Sequence, residues 1–153
     1  MRIYFLIFIA LIFFIVSGCG LAAPHLQRGK QYLDNSNYEK AVRELEKASN
    51  ESGDIHYYID TYQHLGRAYD GQGQPLKAVS VYRTAIQMIH LELREISGRR
   101  LQLRKDMIRT PGNVRALQQE DMLLAKENLK LERELDDIKG RLEQIKKKQR
   151  PQE

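Results

Sequence analysis

Residues 29–48 read GKQYLDNSNYEKAVRELEKA, and residues 66–85 read GRAYDGQGQPLKAVSVYRTA. Laid over one another at an offset of 37 residues, Gly29 falls on Gly66, Tyr32 on Tyr69, Ala41 on Ala78, Leu45 on Tyr82 and Ala48 on Ala85. Small residues let two helices approach closely, and the large residues between them fill the space left. Asn35-Ser36-Asn37 and Gly71-Gln72-Gly73-Gln74-Pro75 are turn signals inside each copy. Pro75 suits the first turn of a helix, and Asp54 is placed to cap the helix beginning just after it. Each copy therefore reads as a pair of helices. The composition agrees, with no Trp, few Gly and Pro, and an abundance of Leu, Lys, Glu, Arg and Gln.

The apolar period continues beyond the second copy. Val79, Tyr82, Ile86, Ile89, Leu93, Ile96, Leu103 and Met107 recur every three or four residues, with Arg100 the odd member of the series. This predicts one long helix from about Pro75 to Ile108, with Gly98 its weakest point, at about 1 kcal/mol relative to Ala. Thr110-Pro111-Gly112-Asn113 breaks it, and Thr110 or Asn113 is placed to cap the next helix. The last segment carries a heptad repeat. Its a positions are Val114, Asp121, Asn128, Leu135 and Leu142, and its d positions are Leu117, Leu124, Leu131, Ile138 and Ile145. Such a seam must be covered, by a second copy of itself, by the preceding helix folded back about Pro111-Gly112, or by a helix of another protein. In a parallel homodimer Glu127 would face Glu132 and Arg141 would face Lys146, so like charges disfavour that arrangement. The hairpin is preferred, and it places Arg100 and Asp121 in neighbouring layers. The expected fold class is all-α: two helix pairs, a long helix and a coiled-coil helix.

The two copies resemble the tetratricopeptide repeat, whose period is 34 residues. The longer offset here fits an extended loop around Asn50 to Asp54. Arg28 stands where the family prefers a large apolar residue, and His90 where it usually places a helix-ending Pro. Two repeats are also fewer than the roughly three that are stable alone, so further apolar surface must come from elsewhere. The resemblance implies a concave groove lined by the first helix of each pair, which in this family binds peptides. Lys30, Leu33, Asp34, Gln63, Arg67 and Asp70 fall on that side.

The N-terminus has a different character. Arg2 is followed by an apolar run of 14 residues, Ile3 to Val16. A membrane-spanning helix needs about 20 residues, whereas the core of a signal peptide is this short. Val16-Ser17-Gly18-Cys19 resembles the lipobox of bacterial lipoproteins. That resemblance implies a diacylglycerol on the thiol of Cys19, cleavage before it and acylation of the new amine. Two or three chains give durable anchoring where one is marginal. Gly20 stands where Asp often retains such lipoproteins at the inner membrane, which implies the outer membrane, facing the periplasm. The organisation expected is a signal peptide over 1–18, a lipidated tether over 19–24, a repeat-like domain over 25–92, a long-helix extension over 93–109, a coiled-coil helix over 110–147 and a disordered tail over 148–153.

Chemistry is sparse. Cys19 is the single cysteine, so no disulfide forms within the chain. His56, Asp60 and His64 share a helix face, but no Glu completes a His-Glu-x-x-His motif, and structural zinc normally takes four ligands. No metal, no cofactor beyond the acyl lipid on Cys19 and no catalytic residue is expected. The net charge of +5, or +4 without Arg2, suits a solvated helical surface and is a weak argument for nucleic acid. Arg94, Arg99, Arg100, Arg104, Lys105 and Arg109 form a basic stretch that reads either as a solvated face or as a contact for anionic lipid or an acidic partner. The function expected is an envelope lipoprotein that binds another envelope protein as adaptor or assembly factor. The alternatives are a spacer that self-associates through residues 114–145, and an accessory lipoprotein of a sensor kinase.

Overall fold

The computed structural model describes residues 24–149. The fold is all-α, with no strand among the described residues. α1 (Pro24–Asp34) and α2 (Tyr38–Ala48) are the first pair, α3 (Ile55–Gly71) and α4 (Pro75–Arg109) the second. A 3-10 turn at Pro111–Asn113 leads into α5 (Val114–Gln149). Cys19 and the signal peptide expected over 1–18 lie outside the described residues.

The internal repeat seen in the sequence is also a repeat of geometry. A Cβ on Gly29 would sit 2.5 Å from Cγ of Leu45, and one on Gly66 would sit 2.6 Å from Cε1 of Tyr82. Each glycine thus receives the large residue of its partner helix at the same point of the pair. Both intra-pair turns hold a residue in the left-handed region at the equivalent position, Ser36 (φ 55°) and Gly73 (φ 75°). In each, the next amide donates back into the first helix: Asn37 to the carbonyl of Tyr32 and Gln74 to that of Tyr69, both at 2.8 Å. The Asp54 carboxylate accepts from the Tyr57 amide at 2.8 Å and caps α3. α4 begins at Pro75 without a side-chain cap and runs unbroken through Gly98 to Arg109. Thr110 and Asn113 make no capping bond at the last helix. The Thr110 hydroxyl instead donates back to the Asp106 carbonyl at 2.7 Å.

α4 and α5 fold back on one another as an antiparallel hairpin. Leu124, Leu131, Leu135, Ile138, Leu142 and Ile145 of the heptad seam are buried, and they join one core with Ile89, Ile96 and Leu103 of α4 and the residues between the helix pairs. Burying a side chain of this size contributes roughly 1.5–3 kcal/mol, so α5 supplies the surface that two repeats lack. Val114, Leu117, Asp121 and Asn128 are half-buried. The Arg100 guanidinium donates to the Asp121 carboxylate at 2.7 Å, and this bond holds the Asp121 carboxyl below the usual range. The seam is therefore filled from within the chain rather than by a second copy.

α5 also reaches α3. His56 Nε2 lies 2.9 Å from Glu127 Oε1 near the start of α3, and Lys148 Nζ lies 3.7 Å from Asp70 Oδ2 at its end. The boundary expected at residue 148 falls inside α5, which continues to Gln149. Because His56 meets α4 at Glu92, α4 runs on for about 17 residues past the start of α3. At 1.5 Å per residue this makes an arm of about 25 Å, built only of the α4–α5 hairpin.

Candidate functional site

The sides of α1 and α3 expected to form a groove are joined by α5 along one edge. Leu33 and Asp34 at the end of α1, Ser36 and Tyr38 just after it, Arg67, Asp70 and Gly71 of α3, and Arg141 of α5 enclose an open cleft of about 430 Å³. Four of the six residues expected in the groove meet there. Leu33 is buried and joins the core, leaving Asp34, Arg67 and Asp70 as the exposed or half-exposed chemistry. Gln63 lies alongside, sharing a narrower recess with Arg67, Tyr82, Asp137 and Arg141. Lys30 is not part of the cleft. Its ammonium is paired with the carboxylate of Asp60, and Asp60 also takes His64 Nδ1 at 3.0 Å. Burial pushes the Asp60 carboxyl up, but the bonds from His64 and Lys30 outweigh it and hold Asp60 below its ordinary value.

Arg141 is not among the residues expected here, because the heptad places it on a flank of the seam without saying which surface that flank meets. Its Nε donates to Asp137 at 2.9 Å, which fixes the head between the cleft and Tyr82. The Tyr82 hydroxyl is pushed up to about 12 by burial, so it stays protonated at neutral pH. One signal in the sequence does point to α5. Glu127, Glu134, Arg141 and Lys148 recur every seven residues at g positions, changing from acid to base, and the first and last of them meet His56 and Asp70 at the two ends of α3. That complementarity fits α5 lying parallel to α3. The cleft so formed has a mostly polar lining and offers two carboxylates and two guanidiniums. It suits an extended peptide with charges of both signs, held by hydrogen bonds.

The metal triad considered along α3 does not converge, since His56 pairs with Glu127 and His64 with Asp60. A different group, His56, Glu92 and Glu127, could hold an ion, with ligand atoms within 4.8 Å of one another. Burial, and after it the neighbouring charges of Glu95 and Glu127, push the Glu92 carboxyl above its ordinary value against the pull of His56. Two of the three groups, His56 and Glu127, already pair with one another at 2.9 Å.

The tetratricopeptide repeat family model matches residues 59–89, that is, α3 from Ile59 and α4 as far as Ile89. No curated protein and no solved structure matches the chain. The helix pairs are thus tetratricopeptide-like, and all-helical repeats of this kind are typical of modules that bind other proteins.

Proposed function

We propose that this chain is an envelope lipoprotein, anchored by acylated Cys19 to the outer membrane on its periplasmic side, which binds a second envelope protein and holds it at the membrane. It does no chemistry of its own. Its mechanism is localisation: confinement to a surface raises the effective concentration of whatever it holds. The observation that carries the reading is the cleft among α1, α3 and α5, where Asp34, Arg67, Asp70 and Arg141 converge on one peptide-sized space. The tetratricopeptide match over α3 and α4 supports protein as the ligand class, and the lipobox-like Val16-Ser17-Gly18-Cys19 supports the anchor.

The test is in-cell photocrosslinking from position 34, at native abundance, in the lipidated chain. The expected result is one distinct envelope protein, lost when Arg67→Ala and Arg141→Ala are combined. A product consisting only of the chain itself, or one insensitive to both arginines, would overturn the adaptor reading.

A further inference from the structure

The arm formed by the distal halves of α4 and α5 carries large apolar side chains with nothing over them. Leu101 is 56 % exposed, Ile108 84 % and Met122 54 %. Their placement comes from the hairpin. With Leu93, Arg100 and Met107 at a and Ile96 and Leu103 at d, α4 has the same heptad frame as α5. Successive residues turn by about 100°, so e and b lie on one flank of the seam and g and c on the other. In an antiparallel pair the e flanks of both helices face the same side, and so do the g flanks. The structure fixes this frame. Arg99 and Glu120, both at g, lie 3.7 Å apart, and Glu92 and Glu127, both at g, close on His56 of α3.

The repeat therefore sits on the g side, and the e/b side faces away from it. Leu101, Ile108, Met122 and Leu129 all occupy b positions and open to that free side. Arg94 and Arg115 at b and Arg104 at e flank them, with Lys105 and Lys126 pointing outward beside them. None of these five cations makes an ion pair or donates a side-chain hydrogen bond among the described residues, whereas Arg99 and Arg100 are paired. The acids of the same stretch, Glu95, Asp106, Glu120, Asp121 and Glu127, all lie in the seam or on the opposite flank. Over residues 94–129 one side of the arm is thus apolar and basic, the next acid on that flank being Glu132 at e. A solvated flank would intersperse both signs.

We propose that this face of the arm docks on an anionic lipid surface, with Leu101, Ile108 and Met122 entering the headgroup boundary and the arginines meeting lipid phosphates. The segregation of sign points to lipid: apolar residues rimmed only by cations match an anionic interface. Docking would lay the hairpin along the membrane and turn the opposite side, with the cleft, away from it. The face is defined by residues 94–129 and does not depend on Cys19.

The chain has no Trp, so a single one reports its surroundings. Full-length protein carrying Ile108→Trp is reconstituted with vesicles of phosphatidylcholine, with or without phosphatidylglycerol, some lipids being brominated. The expected result is a blue-shifted, bromolipid-quenched emission only where phosphatidylglycerol is present, reversed by high salt. Leu123→Trp, exposed on the opposite flank, should remain unquenched in the same vesicles. Arg94→Gln, Arg104→Gln and Arg115→Gln together should lower the docking equilibrium constant roughly a hundredfold, at about fivefold per cation. Equal emission with and without phosphatidylglycerol, or equal quenching at positions 108 and 123, overturns the proposal. So does a blue shift that grows with protein concentration in lipid-free detergent, which would assign the face to a second copy.

Discussion

Replacing Gly66 with Ala should destabilise the fold, while the same change at Gly98 should stabilise it. Both glycines lie inside helices, so both substitutions gain the same intrinsic helix propensity, about 1 kcal/mol. They differ in what the new methyl group meets. At Gly98 there is nothing within 4 Å. At Gly66 the methyl would lie 2.6 Å from Cε1 and 2.8 Å from Cδ1 of Tyr82, a ring that is only 1 % exposed. The ring is rigid and enclosed, so α3 and α4 must separate. Overpacking of this kind costs about 1–3 kcal/mol. Propensity cancels between the two variants, and the whole difference is this steric cost. For a chain of this size each kcal/mol shifts Tm by about 2–4 °C, so the two midpoints should differ by about 6 °C for a cost near 2 kcal/mol. Thermal unfolding of the purified full chain, tracked by far-ultraviolet circular dichroism, reads this directly. If Gly66→Ala melts as high as Gly98→Ala, the close approach of α3 and α4 is not a packing constraint. The matching contact of Gly29 with Leu45 would then lose its meaning as well.

Leu131→Ala, at a fully buried seam position, should cost about 2–5 kcal/mol and release α5 first: hydrogen exchange should accelerate over 114–149 before α1 and α2 open, and uniform acceleration would refute α5 as a separable cover. Two carboxyls should give opposing pH dependences. Asp60 is held below its ordinary value, so its stabilisation is present above the unfolded carboxyl range and is lost as pH falls through the folded value. Glu92 is held above its ordinary value, so its contribution is full at low pH and lost as pH rises through the folded value. Asp60→Asn should flatten the acid limb of a stability–pH curve, and Glu92→Gln should raise stability at neutral pH; a parent-like curve in either variant refutes that assignment.

The fold was legible where a physical rule acts locally. The 37-residue offset located both helix pairs because small and large residues must alternate wherever two helices touch. It carried through to the left-handed residues at Ser36 and Gly73. The break at Thr110 to Asn113 was legible because Pro and Gly interrupt any helix, although neither candidate side chain caps α5. The candidate site was read only in part. Asp34, Arg67 and Asp70 come from their place on the first helix of each pair, but Lys30 is drawn off by Asp60, a pairing across 30 residues of sequence that no local pattern contains. Arg141 was hidden for the same reason: its role depends on which surface α5 covers, and a heptad specifies a seam without naming its partner.

The charges within the seam choose that partner. Apolar a and d positions would serve a homodimer or a hairpin about equally, since burial is non-directional. Asp121 is different. In a parallel homodimer it would face its own copy, leaving two carboxylates side by side. In an antiparallel homodimer it would pack among apolar d residues with no cation in the layer. Folded back on α4 it meets Arg100, the one position where that helix interrupts its own apolar series. Each residue is costly in its own helix, and the cost is offset only when the two helices pair with each other in one register. A single polar position in a seam can select partner and register in this way at some expense of stability. The buried seam of α5 does for this chain what further repeats do in longer arrays, and the Arg100–Asp121 pair sets its register. The pair directs α5 onto α4, and α5, so placed, brings Arg141 and Lys148 to α3 and completes the cleft.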